Sequence, residues 1–146
     1  AGLMDDYEAA IGALNISREE FFHRCTTGYA DAAHALEEVT IVADVARAWH
    51  GKVPMSVVTN AQRVAVNGAL NATGLIGYFN DIVSIEDVKH GKPEPDIYLK
   101  AAEHLSISPA RCIVLEDSHE GLTAAKRAGM QHIDIRHYWT PRWKRT

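Results

Sequence analysis

From residue 54 onward, short apolar runs alternate with amphipathic stretches, and this alternation constrains the fold more than any other feature of the sequence. The runs are Met55-Ser56-Val57-Val58-Thr59, Asp81-Ile82-Val83-Ser84-Ile85, Arg111-Cys112-Ile113-Val114-Leu115 and His132-Ile133-Asp134-Ile135-Arg136. Each has the length and β-branched content of a buried parallel strand. Between them, residues 62–72, 95–105 and 121–128 carry helical periodicity. Pro95 stands near the first turn of its helix, where a missing N–H costs little. The pattern predicts an α/β domain around a mainly parallel sheet. In such sheets ligands gather beyond the carboxyl ends of the strands.

The first fifty residues have a different texture. Asp5 and Asp6 precede a helical stretch over residues 7–14, and Asn15-Ile16-Ser17 interrupts it. Ser17 with Glu20 three residues later forms a capping-box pattern for a second helix running through Phe21, Phe22 and Cys25. A further amphipathic helix is predicted over residues 39–49, ending near Gly51.

Composition narrows the class. The 146 residues are 47% hydrophobic and 23% charged, which suits one globular domain with a real core. A formal net charge of −4 gives no basis for bulk binding to nucleic acid or anionic membranes. The sequence holds no run of about 18 apolar residues and no signal-peptide pattern, so a cytoplasmic protein is the default expectation. Cys25 and Cys112 have no metal-ligand spacing and fit a reducing compartment; Cys112, in an apolar run, reads as core packing. The eight histidines, His90 and His119 among them, lack paired ligand spacing and read as loop or surface residues. The aromatic and basic tail, residues 138–146, reads as a segment packing on its own domain or on a neighbour.

Three polar features fall where strands end or loops lead into them. Thr59-Asn60 follows the first run; a hydroxyl followed by backbone N–H groups at a helix start cradles phosphate, though threonine there also serves as a plain N-cap. Lys92, in His90-Gly91-Lys92-Pro93-Glu94-Pro95-Asp96, lies on a constrained backbone path that suits an ammonium held against a phosphate or carboxylate. Glu116-Asp117 ends the third run; two adjacent carboxylates there either cap the next helix or are neutralised by a hard cation such as Mg²⁺. Taken in order, hydroxyl, lysine and acidic pair bring a phosphate, a cation and a metal site to one crevice.

On these strings the chain resembles the haloacid dehalogenase (HAD) superfamily, in particular its phosphatases and sugar phosphomutases related to β-phosphoglucomutase. The resemblance rests on Ser56-Val57-Val58-Thr59-Asn60, on Val88 through Tyr98, and most specifically on Cys112-Ile113-Val114-Leu115-Glu116-Asp117-Ser118 followed by Gly121-Leu122-Thr123-Ala124-Ala125. It implies a Rossmann-like core over residues 39–146 and part of a helical, substrate-selecting cap over residues 1–38. It implies that Thr59 hydrogen-bonds the transferring phosphoryl group, with Asn60 beside it in the phosphate site. Lys92 would steady nucleophile and phosphate, and Glu116 and Asp117 would hold Mg²⁺. The substrate would be a small phosphorylated metabolite such as a sugar phosphate, attacked through an aspartyl-phosphate.

The sequence departs from the family in one respect. It contains no Asp-x-Asp-Gly-Thr, the motif that supplies nucleophile and general acid/base on the central strand. Asp5 and Asp6 are adjacent and follow no apolar strand, and Asp44 falls in the helical pattern of residues 39–49. The resemblance therefore places the start of the chain inside the cap and leaves a core without its first strand. The expectation is two half-sheets with unpaired inner edges: the chain is a truncated gene product, or a partner chain supplies the strand, or residues 39–45 are drafted into the gap, and a homo-oligomer would cover the edges. Two functions compete: a Mg²⁺-dependent phosphatase or phosphomutase, weakly active or inactive as this chain, and a non-catalytic binding or assembly protein on the same scaffold. Dehalogenation requires the same aspartate and has no support of its own.

Overall fold

The structure is a computed structural model that describes residues 36–140, together with Asn15, Ser17, Glu19, Glu20 and His23. Within residues 36–140, four α-helices and four strands alternate: α1 (Thr40–Trp49), β1 (Ser56–Val58), α2 (Arg63–Ala72), β2 (Asp81–Val83), α3 (Asp96–Leu105), β3 (Ile113–Glu116), α4 (His119–Arg127) and β4 (Gln131–Asp134). Every predicted element within these residues is present. The helix α1 contains Asp44, which lies exposed against Arg47 at 3.3 Å and not on a strand. Earlier in the chain, Asn15 adopts a left-handed φ of 50°, as a helix break requires, and Ser17 Oγ accepts the N–H of Glu20 at 3.0 Å. The remaining N-terminal helical expectations and residues 141–146 lie outside the described residues.

The strands pair in parallel, two by two. Ser56, Val57 and Val58 face Asp81, Ile82 and Val83, and Ile113 through Glu116 face Gln131 through Asp134. Among the described residues no ladder joins β1–β2 to β3–β4, so the sheet is present as two halves. One apolar core nonetheless spans both. Val83, Ile97 and Ala101 from the first half cluster with Val114, Ala124 and Met130 from the second, and Val83, Ile97 and Ala124 are fully buried. The helices do the joining: α3 packs on β1 and β2, α4 packs on β3 and β4, and the two helices touch each other.

The predicted buried character of the strands holds only in part. Ile113 is 62% exposed and Ile133 42% exposed, because their side of the second half-sheet has no cover among the described residues. Cys112 is half-buried against the core edge rather than enclosed. Apolar side chains also stand out on α1 and beyond β4, where Val45, Trp49, Tyr138 and Trp139 line an open recess of about 500 Å³.

Polar links fix the loop after β2. Ser84 is fully buried; its N–H and hydroxyl both donate to Asp87, at 2.7 and 3.0 Å. Asp87 also pairs with Arg63, whose guanidinium reaches Ile82 O at 3.1 Å and whose N–H donates to Glu86 at 2.6 Å. The first turn of α2 is thereby tied to the carboxyl end of β2, beside the segment that turns towards Lys92.

Candidate functional site

The site is built where β1 and β3 end. Thr59 leaves β1 with its N–H on Val83 O at 3.0 Å, so its position is set by the edge of the ladder. Its hydroxyl oxygen accepts the N–H of Ala61 at 3.0 Å, a local turn that opens the path into α2. The hydroxyl proton is not consumed by that bond and remains available to an acceptor.

Asn60 works on the backbone of Lys92. Its Oδ1 accepts the Lys92 N–H at 2.9 Å and its Nδ2 donates to Lys92 O at 3.1 Å. This double link requires glycine one residue earlier: a Cβ on Gly91 would stand 2.5 Å from Asn60 Oδ1 and 2.5 Å from Ile85 Cδ1. The peptide bond from Lys92 to Pro93 is cis. Expected beside a phosphate, the Asn60 side chain is here committed at both ends to the lysine backbone.

The Lys92 ammonium then crosses between the half-sheets. It donates to Val58 O at 3.1 Å and to Glu116 Oε2 at 2.7 Å, and it lies over the Tyr98 ring, 5.1 Å from the centroid. Both ends of the ion pair are nearly enclosed, with side-chain exposures of 11% and 8%. At that depth the pair is far less screened than a surface pair.

Glu116 is the most heavily bonded side chain in the site. Oε2 accepts from Lys92 and from the Tyr98 hydroxyl at 2.7 Å; Oε1 accepts from the N–H groups of Asp117 and Ser118 and from Ser118 Oγ, at 3.0 to 3.1 Å. Burial alone would raise its pKa. The charge and hydrogen bond of Lys92, with Tyr98 and Ser118, outweigh burial and hold the carboxyl well below the ordinary range. Ser118 also caps α4 by accepting Gly121 N–H at 3.0 Å. Gly121 has no room for a side chain, since a Cβ there would lie 2.1 Å from the Glu116 carboxyl carbon.

Asp117 stands next to this saturated carboxylate and faces outward. Partial loss of water raises its pKa, and the neighbouring Glu116 charge raises it further. Such a carboxyl gains from a cation. Among the described residues no three His, Cys, Asp or Glu side chains converge. The donor set is therefore one or two carboxylates, which suits Mg²⁺ because that ion keeps waters and takes phosphate oxygens as further ligands.

Asn60, Lys92, Glu116, Tyr98 and Ser118 thus form one connected network, with Thr59 at its edge and Asp117 on its open side. Two members were not legible in the sequence. Tyr98 sits six residues past Lys92 on a helix face that reads as core, and Ser118 reads as part of a turn. The spacing of Ser118 three residues before Gly121 was the available signal for a cap.

Residues 5–135 match the family described as haloacid dehalogenase-like hydrolase. The fructose-1-phosphate phosphatase YqaB of Escherichia coli (strain K12) is 40% identical over 93 residues, covering 64% of this chain and 50% of that protein. A phosphorylated carbohydrates phosphatase of Thermotoga maritima is 35% identical over 82 residues, covering 56% of this chain and 38% of that protein. This chain spans half or less of the length of both relatives. Among solved structures, a Thermotoga maritima protein provisionally named a β-phosphoglucomutase superposes with a TM-score of 0.69 at 26% identity, covering 92% of this chain and 64% of that one. CbbY from Rhodobacter sphaeroides in complex with phosphate superposes at 0.66 and 28% identity, covering 77% and 53%. With nine-tenths of its residues matched and the strand-end network in place, the chain belongs to the haloacid dehalogenase-like hydrolase family.

Proposed function

We propose that the chain carries the phosphate- and metal-binding part of a phosphohydrolase acting on small phosphorylated metabolites, sugar phosphates in particular. The observation that carries this reading is the enclosed Lys92 ammonium, held between Val58 O and Glu116 at the strand ends beside Thr59. The sugar-phosphate class follows from the printed activities of the relatives from Escherichia coli and Thermotoga maritima.

Each residue has a chemical task in this reading. The Thr59 hydroxyl donates to a phosphoryl oxygen, while the Ala61 N–H fixes the direction of its lone pairs. Lys92 places positive charge against the same phosphoryl group, where charge develops as the ester bond breaks. Glu116 and Ser118 hold Lys92 and the start of α4 in register. Asp117, with Glu116 behind it, would hold Mg²⁺, which adds further positive charge on the phosphoryl oxygens. Residues 1–38 would contribute to a helical cap that selects substrate, and residues 39–146 would make up the core.

The reading is tested by Mg²⁺-dependent hydrolysis of sugar phosphates and p-nitrophenyl phosphate, with Asp117→Ala as control. Turnover that disappears in the control supports it. Phosphate binding without turnover in a stable oligomer would favour the alternative, a binding or assembly protein on the same scaffold. The observation behind that alternative is the division of the sheet into two halves, which a second copy or partner chain would bridge.

A further inference from the structure

Tyr98 closes one of the quoted sequence strings but has no task assigned above, yet it is among the most enclosed of the described residues. Its residue is 3% exposed, and its hydroxyl donates to Glu116 Oε2 at 2.7 Å, the same oxygen that receives Lys92. Packing alone would be met by phenylalanine, which fills the same space and has no hydroxyl to satisfy. The bond gives Oε2 two donors approaching from different elements, one from α3 and one from the loop before it. The ring meanwhile forms a wall of the lysine slot, with the ammonium 5.1 Å from its centroid. One side chain thus fixes both the acceptor of the Lys92 ammonium and the channel through which the ammonium reaches it.

We infer that the Tyr98 hydroxyl is a positioning group: by holding Glu116 Oε2 it sets where the Lys92 ammonium points. It acts through Glu116 and does not itself meet substrate. The inference deepens the phosphohydrolase reading and rests on it only where turnover is the readout. Without the hydroxyl, Oε2 keeps a single donor and the Glu116 side chain gains freedom on that side. Lys92 then samples positions away from Val58 O, and its charge is no longer fixed where a phosphoryl group would need it.

The test compares the full chain with Tyr98→Phe, which keeps the ring and removes one oxygen. Acylation by a water-soluble N-hydroxysuccinimide ester, read lysine by lysine by peptide mass spectrometry, reports the freedom of the Lys92 amine without any need for activity. The expected result is about tenfold faster labelling of Lys92, the factor that loss of one hydrogen bond to a charged group implies. Lys100 and Lys126 should label at their original rates, and the melting temperature should stay close to that of the parent. Unchanged labelling of Lys92 overturns the inference. So does faster labelling of all three lysines with a lowered melting temperature, since Tyr98 would then be holding the core together. In the turnover assay kcat should fall about tenfold with KM little changed, because the placement of charge matters most in the transition state. A parent chain that neither turns over nor binds phosphate would sink the phosphohydrolase reading and leave the labelling result to decide the role of Tyr98.

Discussion

The two halves of the sheet approach the site in opposite ways. The β1–β2 half offers neutral groups: Val58 O, the Thr59 hydroxyl, and an Asn60 amide that grips the Lys92 backbone. The β3–β4 half offers adjacent carboxylates, Glu116 and Asp117. Neutral partners position a group cheaply, because leaving one unpaired costs a single hydrogen bond. Carboxylates at a strand end demand a counter-charge. Lys92 belongs to neither half, yet its backbone is fastened to the first and its ammonium bridges both, from Val58 O to Glu116, its only carboxylate partner among the described residues. A change at Lys92 should therefore damage the β3–β4 half far more than the β1–β2 half.

The largest effect is expected from Lys92→Met. It leaves Glu116 enclosed without its cation and should cost about 3 kcal/mol in urea denaturation at neutral pH, in line with other buried pairs that lose one partner. Adding Glu116→Gln should recover much of that loss. If the double variant is no more stable than the single one, the asymmetry between the halves is wrong. The acid limb offers a second check. Glu116 has a folded pKa below its unfolded value, so the stability it contributes is fully present above the ordinary carboxylate range near pH ~4.3 and is lost as pH falls through the folded value. Glu116→Gln should flatten the stability profile there.

A smaller effect separates the halves at closer range. Gly121→Ala should cost about 2 kcal/mol despite the better helix propensity of alanine, because the new Cβ runs into the Glu116 carboxyl and α4 has to shift. Asn60→Ala, on the neutral side, should cost about 1 kcal/mol, since the Lys92 backbone groups it releases lie close enough to water to be satisfied there. Equal losses from the two substitutions would erase the distinction. Smallest of all is Asp117→Asn. The folded pKa of Asp117 is raised, so its ionisation opposes folding as pH rises through the carboxylate range. At pH 7 the amide should raise the melting temperature by about 2 °C and abolish any further rise on adding Mg²⁺. A rise with Mg²⁺ that survives in Asp117→Asn would place the cation elsewhere.

Much of this was legible in the sequence, and the reason differs by region. The strand and helix order from residue 54 onward followed from apolar runs and their spacing, and observed boundaries fall within about two residues of the predicted ones. Helix α4 begins at His119 rather than Gly121 because Ser118 caps it. Thr59, Lys92, Glu116 and Asp117 were singled out because strand ends, and the loops beside them, are where such sheets place chemistry. Pairwise geometry was not legible. No one-dimensional pattern says that Tyr98 turns its hydroxyl to Glu116, or that Asn60 spends both ends of its amide on Lys92. Burial was also over-read: Ile113 and Ile133 have strand-core identities but considerable exposure, because cover depends on what packs across a strand and not on the strand itself.

Gly91 and Gly121 mark two places where backbone has been left bare so that a neighbour's oxygen can take the space. Seen as a map of mutational tolerance, this makes the network brittle at points that carry no chemistry. No codon change at either position yields a smaller residue, so every missense variant there has to displace Asn60 or Glu116 before it reaches solvent. A lineage can exchange the exposed faces of α1 or α2 freely and still keep these two positions almost fixed. Their invariance among relatives would record the room needed by the Lys92 anchors rather than any contact with a substrate.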